Sequence, residues 1–166
     1  IDSITNKSGQ RVAEDEYLQK MGILVLIIDN KVKVLLDTSG NALHMRGYRS
    51  ETGDAPIKES LAAALVLLSN WRFKENFYDP FCGSGTVAIE ALMIAKNIAP
   101  GLERKFAFNA LGLVKAEDFQ REISIARGKQ FLWEYNIFAS DIDPEMVEIA
   151  KENAARAGFK KDEIQF

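Results

Sequence analysis

The chain has 166 residues, of which 47% are hydrophobic and 27% charged, and its formal net charge is -3. This is an ordinary globular composition, and it argues against a basic protein that coats nucleic acid. One cysteine excludes a disulfide framework, and one histidine leaves too few ligands for a zinc site, so we expect no metal. The longest apolar run, Ile23 to Ile28, is too short to span a bilayer, and no signal peptide is evident. We therefore expect a cytoplasmic protein without membrane association.

Both ends of the sequence fall at unusual places. Ile1 is not an initiator methionine, and Phe166 lies inside a predicted strand that starts at Glu163. We therefore expect this sequence to be part of a longer protein.

The first predicted elements form a β-hairpin. Two apolar runs, Ile23 to Ile28 and Val32 to Asp37, flank Asp29-Asn30-Lys31, and Asp and Asn tolerate the positive φ that tight turns require. A basic and aromatic segment, Leu43 to Arg49, follows the hairpin. Contact with phosphate or a substrate entrance, and a solvated linker, explain this segment equally well.

A helix is predicted from Asp54 to about Trp71. Asp54 is a candidate cap, and Pro56 suits the first helical turn. An apolar stripe at helical spacing predicts the face that packs against a sheet. It consists of Ile57, Leu61, Ala64, Leu65 and Leu68.

The most informative stretch runs from Phe77 to Glu90. Phe77 and Tyr78 predict the end of a buried strand, Asp79 follows it, and a glycine turn leads into a helix predicted from Thr86 to about Ile98. Such an arrangement places a ligand at the carboxyl end of a strand, against the N–H groups of a helix N-terminus.

The spacing within this turn separates the possible ligands. A phosphate-binding P-loop requires a lysine after its last glycine, and no lysine follows Gly85. A dinucleotide fingerprint has glycine where this chain has Ala88, so the nicotinamide interpretation is weak. The octet from Asp79 to Thr86 resembles the S-adenosylmethionine (SAM) turn of class I methyltransferases that act on exocyclic amines of nucleobases, with Phe81 where many others have glycine. A strand, turn and helix without a ligand is the remaining alternative.

The second half of the chain predicts further elements of a parallel sheet. A helix is predicted over about Lys115 to Tyr135, within a long excursion that either binds substrate or packs over the sheet. Asn136 to Asp141 predicts a buried strand that also ends in an acid. Asp143 is a strong helix cap before Pro144, and a third strand is predicted to begin near Ile164.

A SAM site explains the two acids and the turn. Asp141 can accept hydrogen bonds from both ribose hydroxyls, Ile142 can cover the adenine, and Asp79 can receive the ammonium group. Cys82 is expected to be a small buried side chain and not a nucleophile, because no histidine is near it in sequence. The candidate cofactor-binding residues are Asp79, Phe81, Cys82, Gly83, Ser84, Gly85, Thr86, Asp141 and Ile142.

Five segments of the sequence resemble segments of the THUMP-domain RNA methyltransferases and occur in the same order as in that family. The resemblance is greatest to the bacterial 23S ribosomal RNA N2-guanine methyltransferase group, often labelled N6-adenine-specific DNA methylases. The matching segments are Leu43 to Arg49, Ala55 to Ala62, Asp79 to Thr86, Asn97 to Gly101, and Ser140 to Asp143.

The resemblance implies an α/β fold, an incomplete Rossmann-like class I methyltransferase sheet preceded by a β-hairpin remnant of a THUMP domain. Residues 1–42 would be the end of that RNA-binding domain and a linker, and residues 43–166 the first part of the methyltransferase domain. The implied cofactor is SAM, the implied partner is ribosomal RNA, and Ala55 to Leu61 would border the cofactor pocket. Arg46 and Arg49 are candidate RNA contacts.

The expected activity is methyl transfer to guanine N2 of 23S ribosomal RNA. Enzymes of this kind use an Asn-Pro-Pro-Tyr-type loop, which this sequence lacks, so the catalytic residues are expected beyond Phe166. The alternatives are a DNA adenine-N6 methyltransferase, a non-catalytic RNA-binding protein that retains the fold, and a nicotinamide-dependent oxidoreductase. The sequence leaves the oligomeric state open.

Overall fold

A computed structural model describes residues 22–49, 57–110 and 112–166. These ranges hold four strands and five helices, which confirms the predicted α/β class. The predicted cap Asp54 and first-turn Pro56, like residues 1–21, lie outside the described residues. No helix in the described ranges combines the length and the apolar character needed to cross a bilayer.

The predicted hairpin is present. Strand β1 (Ile23–Ile28) pairs antiparallel with β2 (Lys31–Leu36). The loop has two residues, Asp29 and Asn30, and both have positive φ, at 49° and 56°. Lys31 therefore belongs to the second strand and not to the turn. Apart from half-buried Leu26, every side chain of both strands is exposed, so both faces of the hairpin lack cover within the described residues.

The central sheet is small and parallel. Strand β3 (Phe77–Asp79) pairs with β4 (Ile137–Ala139), and Asp79 lies opposite Ala139. The predicted third strand is reduced to one parallel bridge between Gln165 and Phe138. The Gln165 carbonyl accepts from the Ala139 N–H at 2.8 Å, so the segment still lies beside β4 in the order expected of the sheet.

Helix α1 (Glu59–Leu68) begins later than predicted and buries another face. Lys58 before it is extended and provides no side-chain cap. The buried residues are Glu59, Ala62 and Val66, which pack against the second helix. The apolar stripe predicted to be buried is wrong, since Leu61, Leu65 and Leu68 are 47–76% exposed. Apolar character alone does not identify the contact face of this helix.

Helix α2 (Thr86–Ala95) is the centre of the core. Its Ile89 and Leu92 are fully buried, and it contacts α1 and both parallel strands. The helix ends before the predicted Ile98 because Asn97 takes a left-handed conformation with φ 53°. Such a residue ends a helix in the way that glycine commonly does.

The excursion after α2 contains α3 (Ala107–Ala110) and α4 (Ala116–Gly128). Helix α4 ends seven residues before the predicted Tyr135, and an irregular segment leads on to β4. Phe106, Phe108 and Phe119 form an aromatic cluster with ring centroids 5.2–6.0 Å apart. The Phe108 N–H donates to the Thr38 carbonyl at 3.0 Å, so the excursion packs against the segment that follows the hairpin.

The last helix, α5 (Pro144–Arg156), begins as predicted. Asp143 is its N-cap, and its Oδ1 accepts from the Glu145 N–H at 2.9 Å. Ala150 and Ala154 are buried on the face toward the core.

Candidate functional site

Both parallel strands end at the same edge of the sheet, and the turns that follow them are joined there. The Ser140 N–H donates to the Asp79 carbonyl at 2.9 Å, and the Ser140 carbonyl accepts from the Cys82 N–H at 2.8 Å. The two predicted acids, Asp79 and Asp141, therefore lie at one edge, as expected for the carboxyl ends of parallel strands.

Asp141 is held in place by backbone donors. Its Oδ1 accepts from the Asp143 N–H at 3.0 Å, and its Oδ2 accepts from the Gly83 N–H at 2.8 Å. These hydrogen bonds, first that from Asp143 and then that from Gly83, lower the pKa of the carboxyl group. The side chain is a fixed carboxylate that links the two turns. The N–H of Gly83, one of the candidate cofactor-binding residues, therefore donates to Asp141.

Asp79 has the opposite environment. Burial raises the pKa of its carboxyl group, the N–H of Phe81 lowers it, and the charge of Asp141 raises it again. Its Oδ2 is buried and has no hydrogen-bond partner among the described residues. An unsatisfied buried carboxylate oxygen is unfavourable, and a cationic group nearby would relieve it. Asp79 also lines a cavity of about 330 Å³ at the strand ends. These features fit the ammonium group of SAM.

The two glycines of the turn serve different purposes. Gly83 has φ 50°, and a Cβ there would meet nothing within 4 Å. Gly85 has φ 80° and caps α2, but a Cβ there would lie 2.9 Å from the Cβ of Ala150. Gly83 thus borders open space, whereas Gly85 leaves room for α5. A cofactor contact for either glycine stays a prediction.

A buried asparagine that the sequence analysis missed also holds the turn. Asn153 is 1% exposed, and its Nδ2 donates to the Ser84 carbonyl at 3.0 Å. Thr86 is buried, and its hydroxyl lies 3.4 Å from that of Ser84. The only sequence signal for Asn153 was a polar residue on the otherwise apolar face of α5.

The remaining predicted cofactor residues differ in exposure. Phe81 is 87% and Ile142 100% exposed, so an apolar side chain stands free beside each acid. Cys82 is buried, as expected. Burial first, and then the charges of Asp79 and Asp141, raises the pKa of its thiol to about 11, so this cysteine is a poor nucleophile.

The two predicted RNA contacts are both engaged inside the protein. Arg46 pairs with Glu90, and Arg49 lies 3.6 Å from the Glu59 carboxylate. Both glutamates are buried, and the sequence analysis did not single them out. The only sign of these buried ion pairs in the sequence was an acidic residue within each of the apolar helices α1 and α2. An RNA contact for either arginine stays a prediction.

The described residues contain no group of three or more His, Cys, Asp or Glu side chains placed to hold a metal ion. A larger cleft of about 910 Å³ lies beyond the amino ends of the strands and is lined by Lys96, Trp133 and Glu163 among others. None of the predicted cofactor-binding residues lines it. Its Lys96–Glu163 ion pair is internal, and we assign no ligand to it.

The family comparison agrees with the geometry of the turn. The model of the RMKL-like methyltransferase domain matches residues 46–166. "Putative RNA methyltransferase YpsC" of Bacillus subtilis is 47% identical over 171 aligned positions, which cover 100% of this chain and 43% of that protein. "Ribosomal RNA large subunit methyltransferase K/L" of Vibrio cholerae is 39% identical, covering 97% of this chain and 23% of that protein. The chain thus spans less than half of these relatives.

Solved structures show the same similarity. A protein from Listeria monocytogenes, described as a predicted N6-adenine-specific DNA methylase, has a TM-score of 0.80 at 44% identity, over 87% of this chain and 38% of that one. SMU.472, solved as a complex with S-adenosylhomocysteine (SAH), has a TM-score of 0.79 at 40% identity, over 90% of this chain and 39% of that one. The chain therefore belongs to the RMKL-like methyltransferase domain family, whose members are SAM-dependent methyltransferases.

Proposed function

We propose that this chain forms the cofactor-binding part of a SAM-dependent RNA methyltransferase. The observation that carries the proposal is the pair of carboxylates at one sheet edge. Asp141 is fixed and readily ionised, whereas Asp79 is half-buried and its buried Oδ2 has no hydrogen-bond partner among the described residues. A ligand that carries ribose hydroxyls for Asp141 and an ammonium group for Asp79 matches this pair, and SAM carries these groups.

Each residue has a distinct part in this proposal. Asp141 accepts hydrogen bonds from the ribose hydroxyls, and Asp79 balances the ammonium group, directly or through water. Ile142 covers the adenine, and Phe81 contacts the cofactor from the turn after Asp79. Cys82, Ser84 and Thr86 belong to the turn that holds the methionine end, at the N-terminus of α2. The cofactor supplies an activated methyl group, and the protein contributes position and electrostatics.

We also propose that the substrate is ribosomal RNA and the target guanine N2. The names of the Bacillus and Vibrio relatives support RNA over DNA. The preference for N2 rests on the sequence resemblance. An RNA substrate of this kind would place the protein in the cytoplasm.

The domain division remains part of the proposal. Residues 1–42 would close a THUMP-like RNA-binding domain, and residues 43–166 would begin the methyltransferase domain. The hairpin supports a larger domain, because its apolar side chains are exposed on both faces and require a partner. The catalytic Asn-Pro-Pro-Tyr-type loop would follow Phe166, and Arg46 or Arg49 would touch RNA only by leaving its glutamate.

A DNA adenine-N6 methyltransferase is the second candidate, because the Listeria structure carries that description. A methyl-transfer assay separates the two. A protein that contains this chain and its downstream sequence would be given labelled SAM with 23S ribosomal RNA or with duplex DNA, and the methylated nucleoside identified after digestion. We expect N2-methylguanosine from RNA. N6-methyladenine from DNA would select the second candidate, and no transfer to either would favour a non-catalytic protein.

A further inference from the structure

A buried carboxylate fastens the linker after the hairpin to the helix that begins at the cofactor turn. Glu90 of α2 is 2% exposed. Arg46 Nε lies 3.3 Å from its Oε1, Arg46 Nη2 lies 3.4 Å from its Oε2, and the Tyr48 hydroxyl donates to Oε1 at 3.0 Å. Tyr48 is itself 3% exposed. Both oxygens of Glu90 are therefore bound by residues 43–49, which we call the strap.

The strap is also fastened to the first helix. Arg49 Nη1 donates to the Ile57 carbonyl at 2.7 Å and lies 3.6 Å from Oε2 of Glu59. Glu59 is 3% exposed and opens α1, which packs against α2. One segment of seven residues thus hydrogen-bonds to α2 through Glu90 and reaches the start of α1 through the Ile57 carbonyl and the Arg49–Glu59 ion pair.

The attachment lies close to the cofactor turn. Gly85 caps α2 and Thr86 is its first residue, so Glu90 is about one helical turn further along a stretch that is buried apart from half-buried Val87. A helix moves as a rigid unit over this distance. The strap therefore fixes where the N-terminus of α2 and the turn before it lie against β4.

Stability alone is a weak reason for this arrangement. Burying a charged pair carries a desolvation cost that often equals its Coulombic gain, and apolar replacements of similar volume are frequently as stable. Burial raises the pKa of Glu90, and the hydrogen bonds from Arg46 and Tyr48 oppose that rise. Unlike apolar packing, the directional hydrogen bonds from Arg46 and Tyr48 to Glu90 hold α2 in one defined position relative to the strap.

We propose that Glu90, held by Arg46 and Tyr48, is a positioning residue that sets the cofactor turn for binding. The inference rests on the proposed SAM site. When the strap is released, α2 and residues 83–85 can adopt other positions. The cofactor then binds only the fraction of molecules in which the turn has the position required for binding. The affinity for the cofactor therefore falls when the strap is released.

The test is a titration with SAH of the wild type and four variants. Tyr48→Phe removes one hydroxyl and keeps the ring, Glu90→Gln removes the charge, and Arg46→Lys keeps the charge but loses the two-pronged contact. Arg127→Gln is the matched control, since it breaks the exposed Arg127–Glu103 pair at 3.1 Å. All titrations are made well below the lowest melting temperature, so that a loss of stability alone leaves the dissociation constant unchanged.

We expect the dissociation constant to rise about fivefold or more for Tyr48→Phe and Glu90→Gln, less for Arg46→Lys, and not at all for Arg127→Gln. Folded strap variants with wild-type affinity would overturn the inference and leave the proposed function standing. A wild-type chain that binds no SAH would overturn both. If Glu90→Gln does not fold, Tyr48→Phe decides the outcome.

Discussion

Gly85→Ala tests the packing of the cofactor turn. Gly85 has φ 80°, and an added Cβ would lie 2.9 Å from the Cβ and 3.3 Å from the Cα of Ala150. The left-handed conformation costs a residue with a side chain about 1–2 kcal/mol. Overpacking against a helix backbone adds about 1–3 kcal/mol, because a backbone atom cannot move aside as a flexible side chain can. The expected loss in free energy of unfolding is therefore about 2–5 kcal/mol.

Gly83→Ala is the matched control. Gly83 also has positive φ, 50°, but a Cβ there meets nothing within 4 Å, so only the conformational cost of about 1–2 kcal/mol applies. Denaturant unfolding of both variants without ligand gives the two values. The loss in free energy of unfolding caused by Gly85→Ala should be about 1–3 kcal/mol smaller in an Ala150→Gly background than in the wild type, because Ala150→Gly removes the overlapping Cβ. Equal losses for the two glycine variants, or no coupling to Ala150, would refute the packing argument.

Three further predictions concern the acids and the thiol of the same edge. Asp143→Ala should destabilise the protein by about 1 kcal/mol in thermal or denaturant unfolding, while Asp143→Ser keeps most of the cap; equal stability of both variants would contradict the capping role. Burial raises the pKa of Asp79 above 3.8 in the free protein, and a bound ammonium group lowers it. Binding of SAH should therefore release protons, and the affinity for SAH should fall as the pH drops through the range above 3.8. This pH dependence should be absent in Asp79→Asn. Calorimetry in buffers of different ionisation enthalpy detects the proton release, and a wild-type affinity that does not depend on pH would contradict the prediction. The Cys82 pKa of about 11, against 9.0 for an ordinary thiol, predicts alkylation by iodoacetamide at pH 8 about 100-fold slower than that of a free thiol, and rapid labelling would contradict its burial.

The sequence predicted the turns and the shared strand edge better than it predicted the packing around them. Turn chemistry is local, so the hairpin at Asp29, the cap at Asp143 and the glycine turn could be read from neighbouring residues. Parallel strands share one carboxyl edge, which brought Asp79 and Asp141 together without further information.

Contacts between distant residues could not be derived in this way. The exposed face of α1 carries its largest apolar side chains, and the buried face carries Glu59, so a hydrophobic pattern selected the wrong side. The pairing of Arg46 with Glu90 could not be predicted, because nothing local reveals a buried partner 44 residues away. The close contact between Gly85 and Ala150 could not be predicted for the same reason, since Ala150 belongs to a helix that follows much later.

The most direct test of the account is calorimetric titration of the chain with SAH, beside an Asp141→Ala variant. The account predicts saturable binding with 1:1 stoichiometry by the wild type. It predicts a loss of about tenfold or more in Asp141→Ala, since each charge-assisted hydrogen bond to the ribose contributes about 1.5–3 kcal/mol. Wild-type affinity in the variant, or no binding by the wild type, would contradict the assignment of the cofactor site to this edge of the sheet.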